Sequence, residues 1–180
     1  MHTVFLDRDE TINVKAAAGK YIESPDELVL LPGAARAVAK LNKASLRTIL
    51  VTNQRWLSEN SADPGHYSAV HARLEELLAY EGAWLDAAYH CPHAIGVCDC
   101  RKPGVGMLHR AAREHRFDLT GAVIVGDSDT DVLAGRAAGT ATILLRANGA
   151  GTADADAVVE DLSAAVRLIL HTRRIATGAA

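Results

Sequence analysis

The segment Val4-Phe5-Leu6-Asp7-Arg8-Asp9-Glu10-Thr11 is an apolar run that ends in two carboxylates spaced i, i+2. Neighbouring carboxylates repel and raise each other's pKa, so a strand end that carries Asp7 and Asp9 calls for a partner. A divalent cation is one: Mg2+ takes hard oxygen ligands, a few carboxylates completed by water and a phosphate. A second acidic segment, Gly126-Asp127-Ser128-Asp129-Thr130-Asp131, follows a later apolar run. Taken alone it is equally compatible with N-cap and turn residues. Beside Asp7 and Asp9, however, Asp127 and Asp131 would build a cation site. Arg101 and Lys102 stand in a loop before a helix. A loop lysine is usually just solvated, but beside metal-bound carboxylates Lys102 can neutralise an aspartate and a phosphate together. Thr52 and Asn53, after the run Thr48 to Val51, offer hydroxyl and amide donors suited to phosphate oxygens.

The three cysteines of the chain, Cys91, Cys98 and Cys100, lie within ten residues. An odd count packed that closely suits a disulfide framework poorly. With His93 they give three thiolates and one imidazole, a tetrahedral Zn2+ set with no position left open, hence structural. Clustered reduced thiols are the plain alternative. A zinc loop over 91–100 would position Arg101 and Lys102, which follow it directly.

These groups need elements to hold them. Val4 to Leu6, Thr48 to Val51, Asp86 to Cys91, Ala122 to Asp127 and Ala141 to Leu145 read as strands. Helical spacing covers Ala34 to Lys43, Tyr67 to Gly82, Met107 to His115, Asp131 to Ala138 and Leu162 to His171. Strands that alternate with helices this way predict an α/β fold, a doubly wound parallel sheet covered on both faces. Ligands of such sheets bind beyond the carboxyl ends of the strands, where Asp7, Asp9, Thr52, Asn53 and Asp127 all fall. A single domain over 1–172 and a loose tail over 173–180 are expected.

The bulk numbers exclude other classes. The chain has 180 residues, 49% of them apolar, and a net charge of −3, so no basic surface argues for nucleic acid. No apolar stretch is long enough to span a bilayer, and no secretory signal is visible. A cytoplasmic monomer acting on a small molecule is expected.

Taken in order, "FLDRDET", "VTNQ", "RKP" and "GDSDTD" resemble the four motifs of haloacid-dehalogenase-like phosphatases, over nearly the whole chain. The cysteine loop before "RKP", with "LPGA" and "VTNQ", is similar to the subgroup of heptose-bisphosphate and histidinol-phosphate phosphatases, which lack a large cap domain. The resemblance implies that Asp7 attacks phosphorus and that Asp9 is the general acid and base. It implies Mg2+ held by Asp7, the Asp9 carbonyl and Asp127, with Asp131 in support. Thr52 and Lys102 would hold the phosphoryl group. Asn53, Arg101 and Arg55 would contact the substrate, although an exposed Arg55 without such a role is at least as expected. Short loops, 14–21, 54–67 and the zinc loop, would then choose a phosphorylated small molecule.

Three departures stand out. Glu10 replaces the usual Gly, Ser128 replaces a frequent Lys, and "RWLSENSADPGHY" replaces small residues after "VTNQ". Trp56 is expected to pack. His66, His71, His90, His109, His115 and His171 match no motif. Heptose bisphosphate is the first expected substrate and histidinol phosphate the second. An inactive zinc-stapled binding module is the alternative of another class.

Overall fold

The computed structural model describes residues 2–58, 64–147 and 154–176. Six parallel strands form one sheet in the order β3-β2-β1-β4-β5-β6. They are β1 (Thr3–Leu6), β2 (Arg47–Asn53), β3 (Ala87–Cys91), β4 (Ala122–Gly126), β5 (Ala141–Leu145) and β6 (Ala157–Val159). The helices are α1 (Ala34–Lys43), α2 (Pro64–Ala79), α3 (Gly106–His115), α4 (Asp129–Ala138) and α5 (Leu162–Ala176).

Side chains alternate between the two faces of a strand, and the core divides accordingly. Val4 and Leu6 join Leu50, Val123 and Val125 under α1, α2 and α5, through Val38, Leu41, Leu74, Val166 and Ile169. Phe5 points the other way and joins Ile49, Val51 and Ile124 under α3 and α4, through Met107, Leu108 and Ala134. Strands buried on both faces explain why each reads as an unbroken apolar run.

Four expectations are corrected. Helix α2 runs Pro64–Ala79 rather than Tyr67 to Gly82, and the turn that follows it closes on Gly82 at φ +68°. A sixth strand, β6, was not visible in the sequence, because three half-buried residues give neither alternation nor a long apolar run. Helix α4 starts at Asp129, since Ser128 caps it and exchanges bonds with Asp131 in a capping box. Helix α5 runs to Ala176, five residues past the expected end at His171 and into the expected tail. The extra turn is anchored where the Arg173 guanidinium donates to the carbonyl of Ala44, at the end of α1. Residues 177–180 of the expected tail, and 59–63 of the expected substrate loop, lie outside the described residues.

From β1 the chain winds outward to β2 and β3, then returns to β4 on the other side of β1. The crevice between the carboxyl ends of β1 and β4 is therefore the topological switch point, where such sheets bind ligands.

Candidate active site

The main-chain N–H of Asp7 donates to the carbonyl of Val125 at 3.0 Å, so the ends of β1 and β4 are tied together. Asp7 and Asp127 emerge side by side as a result. With Asp131 they place carboxylate oxygens within 4.8 Å of one another. Gly126 makes this possible: a Cβ there would meet the Asp131 carboxylate at 2.3 Å.

Lys102 enters the cluster from the loop before α3 and is 3% exposed. Its Nζ donates to Asp7 Oδ1 at 2.7 Å, Asp131 Oδ1 at 2.5 Å and the Val51 carbonyl at 2.8 Å. An ammonium has three N–H donors, and all three are engaged. Asp131 Oδ2 accepts from Ser128 N and Oγ at 3.2 and 2.6 Å. Both oxygens of Asp131 are thus committed, and its contact with the site runs through Lys102. The Asn53 carboxamide grips the main chain of Lys102 from both sides, donating to its carbonyl and accepting from its N–H, each at 3.0 Å.

Burial is the largest influence on Asp7 and lifts its pKa to about 6; Lys102 pulls it back and Asp131 pushes it up. Asp127 is raised further, to about 8, by burial, by the Asp7 charge and by a hydrogen bond with Glu10. Burial works to discharge Lys102, but the charges of Asp131 and Asp7 reverse this and raise its pKa. One ammonium among three carboxylates leaves the cluster short of positive charge. Hard oxygen donors crowded this way fit a divalent cation such as Mg2+.

Asp9 sits across a cleft of about 210 Å3 that Asp7, Thr52, Lys102 and Asp127 also line. Its carboxylate accepts from Arg8 Nε and Nη2 at 3.0 to 3.3 Å, from Asn13 Nδ2 at 3.0 Å and from Gln54 Nε2 at 3.1 Å. Gln54 also donates to Thr52 Oγ1 at 2.8 Å, and its carbonyl oxygen accepts from the indole of Trp56 at 2.8 Å. Trp56, 2% exposed, therefore packs and also fixes the orientation of Gln54.

Glu10 adopts φ +58°, the left-handed conformation that favours glycine. Its side chain pairs with Lys15 at 2.8 Å. The Lys15 ammonium and a hydrogen bond shared with Asp127 hold its pKa below the usual range, with burial opposing. Lys15 offsets much of the charge that Glu10 brings to the cleft.

The second cluster lies beyond the end of β3. The Sγ atoms of Cys91, Cys98 and Cys100 are 3.2 to 3.5 Å apart, with His93 Nδ1 at 3.6 Å from Cys91 and 3.3 Å from Cys100. No S–S bond forms. A tetrahedron with Zn–S bonds of about 2.3 Å has edges of roughly 3.7 Å, so these four atoms already outline one. The turn after Cys100 is tight: the Gly104 N–H donates to the Arg101 carbonyl at 2.6 Å, and a Cβ on Gly104 would meet the Asp99 carbonyl at 2.2 Å.

A family model described as HAD-hydrolase-like matches residues 99–168. The chain is 36% identical to a D-glycero-beta-D-manno-heptose-1,7-bisphosphate 7-phosphatase of Bordetella bronchiseptica, over 95% of this chain and 99% of that one. It is 38% identical to a D-glycero-D-manno-heptose-1,7-bisphosphate 7-phosphatase of Thermosynechococcus vestitus, over 92% of this chain and 94% of the relative. The chain belongs to the haloacid-dehalogenase-like phosphatases. The crystal structure of the D,D-heptose 1,7-bisphosphate phosphatase from B. bronchiseptica, complexed with magnesium and phosphate, superposes with a TM-score of 0.87 at 35% identity. It covers 96% of this chain and 99% of that one.

Within this phosphatase fold the structure brings Asp7, Asp9, Thr52, Lys102 and Asp127 to one cleft, with Asp131 beneath it. Arg55 and Arg101 do not line that cleft. Arg55 donates to the Tyr21 hydroxyl at 3.0 and 2.5 Å, and Arg101 is half-buried one residue before Lys102. Asn53 lines the cleft with its carboxamide turned to Lys102 rather than offered to a ligand. Sequence reasoning passed over Arg8, Asn13 and Gln54, the donors around Asp9. The one available signal was an arginine between two aspartates at the end of a buried strand. His71 and His90 flank the Tyr67 ring, with centroids at 6.0 and 3.9 Å.

Proposed function

We propose that this chain is a Mg2+-dependent phosphatase that removes the 7-phosphate of a D-glycero-D-manno-heptose 1,7-bisphosphate through an aspartyl-phosphate. It acts as a single-domain cytoplasmic monomer on this phosphorylated small molecule. The observation that carries the reading is the meeting of Asp7, Asp127 and Asp131, with buried Lys102 bonded to Asp7 and Asp131. Coverage of nearly the whole length of heptose-bisphosphate phosphatases supports the substrate.

The Asp7 carboxylate attacks phosphorus, and the bond to the sugar oxygen breaks. Asp9 gives that oxygen its proton, then takes one from the water that cleaves the aspartyl-phosphate. Thr52 offers its hydroxyl to the phosphoryl oxygens, and the positive charge of Lys102, bonded to Asp7, stabilises the charge that moves onto them. Asp7, the Asp9 carbonyl and Asp127 are the residues that would hold Mg2+, which when bound supplies charge neutralisation and an oxygen anchor for the phosphate. Asp131 and Asn53 keep Lys102 in place. Cys91, His93, Cys98 and Cys100 bind a structural Zn2+ that sets the loop carrying Arg101 and Lys102. Arg101 contacts the far end of the substrate, and Arg55 acts through Tyr21 at the rim.

The test is phosphate release with Mg2+ from heptose bisphosphates, histidinol phosphate and simple sugar phosphates. Highest kcat/KM on a heptose 1,7-bisphosphate is expected. A preference for histidinol phosphate would overturn the substrate, and no release from any of them would overturn the activity.

A further inference from the structure

Arg8 is the only buried arginine among the described residues, at 2% exposure. An extended strand would turn residue 8 to the face opposite residues 7 and 9. The chain bends instead: the Arg8 carbonyl accepts from the N–H groups of Ile12 and Asn13 at 2.8 and 3.1 Å, which closes a turn. The bend lets the Arg8 side chain reach its own neighbour. Nε lies 3.3 Å from Asp9 Oδ1, and Nη2 lies 3.0 and 3.1 Å from the two carboxylate oxygens.

A buried guanidinium requires acceptors, and the carboxylate of Asp9 is the one this side chain has among the described residues. Nη1 makes no hydrogen bond there. Tyr67, His71 and His90, which feel the Arg8 charge from α2 and β3, bring no counter-ion. The pair differs from the surface ion pairs of the molecule. Exposed pairs hold geometry loosely and contribute little, whereas a forked contact from a buried guanidinium to a partly buried carboxylate fixes the carboxylate plane. Asn13 and Gln54 bond the same two oxygens from the sides. Asp9 retains 26% side-chain exposure, so its remaining edge opens on the cleft.

We propose that Arg8 is a positioning residue whose fork aims the Asp9 carboxylate at the leaving-group oxygen. This rests on the reading of Asp9 as general acid and base. A displacement of about 1 Å in such a group costs on the order of 100-fold in rate.

Two variants separate aim from fold. Arg8→Met keeps an apolar stem without the fork, and Arg8→Lys keeps the charge without it. On heptose bisphosphate, kcat should fall about 100-fold in Arg8→Met and roughly tenfold in Arg8→Lys, with KM within about threefold of the unaltered protein. The comparison substrate is p-nitrophenyl phosphate, whose phenolate leaves without needing a proton. Its pre-steady-state burst of p-nitrophenolate should stay within about threefold in both variants. A burst that falls as far as the sugar reaction, or an unchanged kcat on the sugar, would overturn the proposal. If Arg8→Met does not fold, the same ratio in Arg8→Lys decides. Asp9→Asn runs alongside. Full turnover of the sugar by Asp9→Asn overturns the acid assignment and the clamp together. Its loss, with Arg8 variants unaffected, overturns the clamp alone.

Discussion

The molecule carries two clusters able to hold a metal, and they are built in opposite ways. Asp7, Asp127 and Asp131 come from segments more than a hundred residues apart and are brought together only by sheet topology, with Lys102 buried among them. Cys91 ends β3, and His93, Cys98 and Cys100 follow in the loop after it, all within ten residues at the sheet's edge, and three of the four are at least partly exposed. The carboxylate cluster exists because the fold exists; the thiol cluster needs an ion to make its short loop a structure. Residues 100–102 join the two, since Cys100 belongs to one and Lys102 to the other. The first is therefore expected to fail in chemistry with the fold intact, and the second to fail in structure, with chemistry following through Lys102.

The largest effect belongs to Asp7→Asn. Turnover should drop by roughly four orders of magnitude or more. The thermal midpoint should hold or rise, because a buried carboxylate crowded by its neighbours is removed. Steady-state phosphate release and calorimetry measure the two halves. Cys98→Ser comes next: zinc should be lost by elemental analysis, and activity should fall about ten- to a hundredfold as the Lys102 loop loosens. Full metal content in that variant would remove the zinc site from the account. Asn53→Ala asks which device holds Lys102. Losing both main-chain bonds should cost about 1–2 kcal/mol of stability in urea unfolding and roughly tenfold in kcat, with zinc retained. A loss of zinc there would mean the two clusters are one unit.

A smaller effect concerns pH. The folded pKa values of Asp7 and Asp127, about 6 and about 8, lie above that of a free carboxylate. The folded state thus binds protons that the unfolded state has released. Stability from these groups is full below pH about 4 and is lost as pH rises toward 8. A bound Mg2+ replaces those protons. The rise in thermal midpoint on adding Mg2+ should therefore be larger at pH 8 than at pH 5.5; an equal rise at both would contradict the crowding. Smallest is Glu10→Gly. Relief of the left-handed backbone should add about 0.5–1 kcal/mol, less whatever the exposed Lys15 pair contributes. Activity should stay the same or rise, and a large loss would give Glu10 a positive role.

Legibility in the sequence followed the same division. The thiol cluster was visible because all four ligands sit in one short segment. The strands that carry Asp7, Thr52 and Asp127 were visible because strands buried on both faces are continuous apolar runs. The clamp around Asp9 was not. Arg8, Asn13 and Gln54 become its donors only because the backbone turns sharply after Asp7 and because the Trp56 indole orients Gln54. Neither fact leaves a periodic trace. Asn53 was legible in position and not in role: a polar residue after a strand can face a ligand or the next loop with the same spelling. Strand β6 was too short to announce itself, and α5 exceeded its apparent end because its anchor, Arg173 on Ala44, is a contact across the fold.

The central claim is that Asp7 takes the phosphoryl group. Acid quenching during turnover of heptose bisphosphate with Mg2+, followed by peptide mass analysis, tests it directly. A hydroxylamine-labile phosphate on the peptide that contains Asp7, absent from Asp7→Asn, is the predicted result. Undiminished turnover by Asp7→Asn, or a label that persists in it, would contradict the account.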